Sequence, residues 1–508
     1  MKSEAVKSEA GGEYNGRCHI AVSPDGQPAG VRRAISRMRD AFTTAIAVNR
    51  FGLGARPGEL AGIGGNASDW LRAQLLALPP ALPAQTLRSS QQVLSEALAL
   101  RRQIEAGRRQ AAGTVSAAQA QEVAQQRLPQ FLRPIYAAEA TARFAHAVST
   151  DRPFLERLTQ FWANHFALSV DKQFLAGLAG SFEREAIRPH VLGNFTDMLL
   201  AVETHPAMLL YLDNHLSVGP HSLAALRGAR RGAQRRIGIN ENLAREILEL
   251  HTLGVGGGYT QRDVTSFAEV ITGWTIGGAG NGPYAYGEPG RFVFHAELHE
   301  PGAKFVLGRR YRDDGFAQGV AVLRDVARAP ATARFIATKL ARHFIGDEPT
   351  SSAVGRLADA YTRSDGHLPT LYRALIEARE AWAQPLAKYK TPSDYIVSSY
   401  RGLAMSVDGG HGPLAPFETL GQRTWQPGSP AGWPDRSADW DGASALMKRL
   451  QWADALAARL GSQRDAVQLA PELLGANLSE TTRAAVGHAA SSAQSLTLLL
   501  AAPEFMRR

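Results

Sequence analysis

The sequence predicts a mainly α fold: one large multi-helix body with a small inserted β-hairpin at about 292–308 and a Gly/Pro/Trp-rich irregular segment at about 408–442. Three observations predict it. Apolar residues recur every three or four positions along most of the 508 residues, the period of a helix with one buried face. Several of these runs open on Ser, Thr or Asp caps and first-turn prolines. The β-prone runs are confined to two short apolar stretches, Phe292–Phe294 and Phe305–Leu307, with about eleven residues between them.

Met1 to Asp40 lack a sustained apolar period and read as a flexible tail, leaving 41–508 as a single large α-helical domain. The stretch 67–78 places Trp70, Leu71, Leu75 and Leu76 at helical spacing behind a Ser68/Asp69 cap. Two helices rich in Ala, Gln and Arg are expected over 85–128, and helical spacing runs on from Pro129 to Phe166, with a fresh start at Asp151 and Pro153. Further helices follow Thr204 to Pro206 and the capping box Thr260 to Asp263, the latter stopping at Gly273. Gly277 to Gly290 is expected to be a mobile loop ahead of the hairpin. Helices resume from Gly315 to Ala383. The 408–442 stretch has too much Gly and Pro for a helix and is expected to wrap over the body. No fixed-period repeat is present, which argues against a solenoid.

Lys plus Arg number 56 against 47 Asp plus Glu, a formal charge of +9, while 44% of residues are hydrophobic and 20% charged. That balance suits a folded chain with a sizeable core. The single cysteine, Cys18, excludes an intrachain disulfide and thiolate zinc or iron–sulfur sites. No apolar run approaches the roughly 18 residues that cross a bilayer. There is no GxSxG elbow, Walker phosphate loop or CxxCH, so neither haem attachment nor a nucleotide-binding fingerprint is expected. The densest basic run, Arg227, Arg230, Arg231, Arg235 and Arg236, reads as a loop of solvated charge or, in the sharper reading, an anion or partner contact. Without interleaved aromatics it gives nucleic-acid binding little support. The short apolar run Ala41 to Val48 behind Arg32, Arg33, Arg37 and Arg39 has no small-residue cleavage site, so the default address is cytoplasmic.

The stretch 240–251 carries the most chemistry. At about 100° per residue, Asn242, Glu246 and Glu249 fall within roughly 60° of one another, beside the apolar stripe Leu243, Ile247 and Leu250. Two carboxylates on one buried face can share a metal or divide into acid and base; on an exposed face they are only the wet side of a helix. On a regular helix His251 points away from both and reads as a core histidine. His165 follows Leu158 and Phe161 on an apolar face, which suits either a hydrogen-bonded core histidine or a ligand and base. In an extended chain His295, Glu297 and His299 point one way, a loose two-histidine, one-carboxylate set. Asp213 and Asn214 read as a helix-ending turn.

The chain is similar to a bacterial family catalogued as domain of unknown function number eighteen hundred. The resemblance runs over nearly the whole chain from about Ala45. Its blocks are Asn49 to Gly54 with Arg56 to Glu59; Phe161 and Trp162 with Asn164 to Phe166; His205 to Met208 with Tyr211 to Asn214; Asn240 to Asn242 with Ala244 to Glu246; and Glu249 to Gly254. They continue through Tyr259, Thr260, Asp263, Val264, Thr272 to Trp274, His299, Gly302, Lys304, Lys388 to Lys390, Pro392, Gly432 to Pro434 and Pro503 to Phe505. The resemblance implies no settled activity. It implies export for similar members, although residues 1–40 carry no convincing signal. It implies Asp where Glu300 stands, and it leaves His295 and Glu297 outside the motif, which favours His299 and Lys304. It also implies a protein partner, because family genes neighbour those of an exported family that resembles sulfatases.

Two readings of function follow. In the first, the protein is an enzyme, a hydrolase, in which His165, Glu246, Glu249 and His299 approach one pocket, with a divalent metal as the candidate cofactor. Its metal set is His165, Glu246 and His299, Glu246 acting as ligand or base and Lys304 stabilising negative charge. In the second, it is a non-catalytic binding or assembly protein that presents the arginine-rich loop to a partner enzyme.

Overall fold

The computed structural model describes residues 29–76, 81–82, 87–111, 117–172, 174–230, 238–279, 286–407 and 412–508. The expectation of a mainly helical body holds: helices run from Ala29–Ile46 to Pro503–Met506, and four three-residue strands interrupt them. Residues 1–28 lie outside the described residues, but the first helix begins at Ala29, inside the stretch expected to be a flexible tail. Among the described residues buried apolar side chains gather in two large clusters and a small third one of Val218, Ala224 and Leu298. The largest is built from helices between Ile46 and Ala381; the second joins Tyr395–Met506 to Val48, Leu53 and Phe144. Trp70 packs against both.

Local start signals behave as chain chemistry dictates. Pro153 opens the helix Pro153–His165, and Thr260 with Asp263 forms a reciprocal capping box at Gln261–Val270, satisfying backbone donors that the first turn leaves open. The helix expected over 240–251 is not regular. Asn242–Glu246 is α-helical, and Ile247–His251 widens into a π turn.

The β insertion pairs differently from the expected hairpin. Strand β1 (Trp274–Ile276) pairs antiparallel with β2 (Phe292–Phe294), and β3 (Lys304–Val306) pairs antiparallel with β4 (Arg309–Tyr311). The two predicted strands therefore each find another partner. The reason is local: Gly308 at φ 73 turns Val306 straight back onto Arg309, while Asn214 Nδ2 donates to Ile271 O at 3.1 Å and Trp274 O at 3.0 Å, fixing the start of β1. Residues 280–285 of the Gly-rich stretch lie outside the described residues. Its ends are joined, Gly277 N donating to Arg291 O at 2.8 Å and Gly290 N to Gly277 O at 3.0 Å.

The irregular segment wraps as expected, apart from 408–411, which lie outside the described residues. It docks on the helix Pro153–His165 through Asn164, whose Oδ1 accepts from Trp433 N at 2.7 Å and whose Nδ2 donates to Trp433 O at 2.9 Å. The contact requires a glycine: Gly432 sits at φ +84, and a Cβ there would come 2.4 Å from Asn164 O. Among the described residues no helix is long and apolar enough to cross a membrane.

Candidate functional site

The helix Pro153–His165 delivers His165 into an aromatic cage, with the rings of Trp162 and Phe166 at 5.2 and 4.5 Å. The side chain is 1% exposed. Its Nε2 lies 3.1 Å from His251 O, and its Nδ1 has no hydrogen-bond partner. Burial pushes the imidazole well below its ordinary pKa, with Lys339 and His251 adding to the effect, so the ring is neutral. That arrangement sets the tautomer, with the proton on Nε2.

His251 is a buried core histidine, as the sequence suggested, but its partner was not foreseen. The π turn inserts extra backbone into the last turn of the segment, and His251 Nδ1 meets Glu203 Oε1 at 2.8 Å, with both side chains inaccessible. Glu203 ends the helix Phe195–Glu203, and its Oε2 is left unpaired. A carboxylate at the end of the apolar run Met198 to Val202 was the signal in the sequence.

Glu246 and Glu249 are both half-buried, neither core nor freely exposed. Burial pushes the Glu246 carboxyl up. The His251 and Arg245 side chains oppose that rise and Glu249 adds to it, so Glu246 and His251 share one electrostatic neighbourhood despite the wheel that separates them. Glu249 lies 3.5 Å from Arg245 Nη1. Two phenols flank the pair. Tyr211 is pushed up to about 12 by burial, then by Glu246 and Asp171, and Tyr259 likewise to about 12 by burial and Glu249. Both stay protonated donors at neutral pH.

His299 lies elsewhere, at the β insertion. Its Nδ1 is 3.0 Å from Thr272 O, its Nε2 has no hydrogen-bond partner, and the nearest carboxylate, Asp313, is at 4.0 Å. Burial lowers its pKa. Glu300 binds a turn far away in sequence, accepting from His221 N at 2.8 Å and facing His221 Nδ1 at 2.7 Å. Lys304 Nζ donates to the carbonyls of Pro301 at 2.7 Å, Gly302 at 3.0 Å and Glu300 at 3.4 Å, so its ammonium ties the loop that precedes it.

His165 thus meets His251, whose charge also bears on Glu246, and Glu249 acts on Glu246 as well. The set His165, Glu246 and His299 is not brought together: no group of three or more His, Cys, Asp or Glu among the described residues is placed to hold a metal ion. His295, Glu297 and His299 do not form the extended ligand row either, because Ala296–Leu298 is a 3₁₀ turn and Glu297 reaches Arg227 at 2.8 Å. Asp213 occupies a left-handed turn and pairs with Lys172 at 2.6 Å. The arginine-rich stretch is not all loop. Arg227 and Arg230 lie on the helix Leu223–Arg230, because Leu223, Ala224 and Arg227 keep helical spacing up to the break; Arg231, Arg235 and Arg236 lie outside the described residues.

Compared with known proteins, residues 46–507 match the model of one family, described as Protein of unknown function (DUF1800). No curated protein and no solved structure matches.

Proposed function

Because the chain belongs to the DUF1800 family, which offers no activity to carry over, we propose from its side chains that it is an enzyme, a hydrolase working by acid–base chemistry at Glu246. One observation carries the reading: Glu246 is a half-buried carboxyl with a raised pKa, one helical turn from a second carboxylate and next to an imidazole anchored by Glu203. Two neighbouring carboxylates can divide the labour of hydrolysis as acid and base, and the raised pKa of Glu246 suits it to give the proton. Tyr211 supplies a protonated hydroxyl to orient a polar substrate. His165 and Glu203 act through His251 as positioning residues, since neither side chain is accessible.

A metal-assisted form would need His165, Glu246 and His299 in one coordination sphere. That set is not gathered, so no step is routed through a metal. The reading is tested by assaying the purified full chain against nitrophenyl carboxylate, phosphate, sulfate and glycoside esters. Hydrolysis of one class, lost in Glu246→Gln and largely kept in His299→Gln, supports it. Hydrolysis that survives Glu246→Gln contradicts it.

A second reading, a non-catalytic assembly protein for a partner enzyme such as the sulfatase-like protein that the family resemblance implies, is favoured by one specific feature. Leu223 and Leu226 are 55% and 47% exposed on the same short helix as Arg227 and Arg230, an apolar patch rimmed by cations. Under that reading the protein shares its partner's exported compartment; under the first, the cytoplasmic address stands, and cell fractionation distinguishes them.

A further inference from the structure

A cavity of about 110 Å³ lies between the helix Pro153–His165, the start of the helix Pro392–Gly402 and the Gly/Pro/Trp segment that closes over both. That is several times the roughly 10–15 Å³ one water requires. Its polar wall is unusual in sign. Arg157 and Arg508 are 2% and 3% exposed and line it together. They share a single carboxylate, Asp394, with Arg157 Nη1 2.9 Å from Oδ1 and Arg508 Nε 3.0 Å from Oδ2. Arg157 Nε is spent on Gly52 O, and Arg508 Nη1 donates to Arg50 O at 3.3 Å and His343 O at 3.2 Å. No hydrogen bond within the described residues engages Nη2 of either guanidinium, and Arg508 Nε, although 3.0 Å from Asp394, is itself a buried donor without a hydrogen bond.

Arg143 pairs with Glu183 at 2.7 Å and Arg423 with Glu418. Asp435 lines the cavity as a second carboxylate, under the longer-range influence of Lys339, while Lys388 pairs with Asp347. Two buried guanidinium groups therefore crowd one shared carboxylate, Asp394, an arrangement that costs stability unless further negative charge completes it. Three further features agree. His343 lines the cavity with a buried Nε2 that has no partner, and burial followed by Arg508 and Arg157 holds its ring neutral. Behind it Lys390 is pushed down to about 7 by burial, with Asp394 opposing and Arg157, Arg508 and Arg449 adding. Thr391 and Ser393 also line the space, at the start of an eleven-residue helix whose first backbone donors are closed by the Thr391/Asp394 capping box and by Gln422 Oε1, so they offer it hydroxyl groups. The chain holds Arg508 there through backbone pairing: Lys388 N donates to Arg508 O at 3.0 Å, and Arg508 N to Lys388 O at 2.8 Å.

We propose that this cavity is a binding site for a small tetrahedral oxyanion, sulfate or phosphate, gripped by Nη2 of Arg157 and Arg508 against the start of the helix Pro392–Gly402. Planar arginine forks suit that geometry. The oxyanion is either a free ion or the head of a monoester. The lining does not include Glu246; Phe161 lies between the regions, its ring 6.4 Å from His165 and 5.4 Å from His343.

The test is the thermal midpoint of the full chain titrated with sodium sulfate and, separately, sodium phosphate, against chloride at matched ionic strength, which removes screening as a cause. The site predicts a saturable rise with either oxyanion that chloride does not give. Arg508→Gln weakens the half-saturating concentration about tenfold or more. Ser393→Asp does the same while keeping the fold, because an acid in the first helical turn is favourable to the helix and hostile to an anion beside it. Repeating the titration with nitrophenyl sulfate and nitrophenyl phosphate identifies the source: tighter binding than the inorganic ion assigns a monoester head, weaker or absent binding a free ion. A wild-type chain that responds equally to chloride, or a folded Ser393→Asp that keeps the wild-type midpoint, overturns the proposal.

Discussion

His251 Nδ1 lies 2.8 Å from Glu203 Oε1 in the interior, where neither side chain reaches solvent. The pair exists because the segment after Glu246 is a π turn rather than a continued α-helix. That single backbone irregularity carries the imidazole from the position a helical wheel assigns it to the one place where it meets both a buried carboxylate and the neighbourhood of Glu246.

Glu203→Gln keeps the shape of the side chain and removes its charge. His251 then loses its acceptor or faces an amide whose second group has no partner. The expected loss is about 1 to 3 kcal/mol of unfolding free energy, read from urea denaturation at pH 7. An unchanged midpoint would mean that the pair contributes nothing to the fold.

His165 gives a pH dependence of known sign. Its folded pKa is held far below the ordinary value of 6.5 by burial, so the unfolded chain binds the proton that the folded chain refuses. Stability is full above about pH 6.5 and falls as pH drops below it, with a slope approaching about 1.4 kcal/mol per pH unit for this group. His165→Phe should show a shallower loss between pH 7 and pH 5 than the wild type in the same denaturation series.

Arg188 ties an interior knot, with Nη1 2.7 Å from Glu156 Oε2 and Nη2 2.7 Å from Glu183 Oε1, all three side chains at or below 2% exposure. Burial is the largest single effect on the Glu156 carboxyl and raises it, but Arg188 and His146 together outweigh it and hold the group far below its usual range. Arg188→Met takes the guanidinium from Glu156 and leaves Glu183 with Arg143 as its remaining ion pair, and should cost about 3 to 5 kcal/mol, seen as a lower thermal midpoint.

Leu226→Glu separates the two functional readings. The side chain is 47% exposed, so the fold should be unaffected within about 0.5 kcal/mol. If the patch on Leu223–Arg230 docks a partner, the variant loses that partner in a pull-down from the native host; if the protein acts alone as an enzyme, activity is unchanged.

Much of the architecture was legible in the sequence, because helix starts are written in local chemistry: the Thr260/Asp263 box and Pro153 act on their own backbone. The strand partners were not, since Phe292–Phe294 pairs with Trp274–Ile276 across a Gly-rich stretch whose apolar pattern does not encode register. The site was half legible. Glu246 and Glu249 stand out by spacing, but the π turn that recruits His251 has no signature in residue type. The shared carboxylate of Arg157, Asp394 and Arg508 joins residues more than 100 positions apart, and no periodicity could bring them together.

The most direct measurement is a pH titration of side-chain carboxyl carbons by NMR on glutamate-labelled protein, with the Glu246 resonance assigned by its absence in Glu246→Gln. The account predicts that Glu246 titrates above the ordinary 4.5 and rises further in His251→Gln, which removes a neighbouring imidazole that favours the ionised form. A Glu246 carboxyl titrating at or below 4.5, and indifferent to His251, would contradict it.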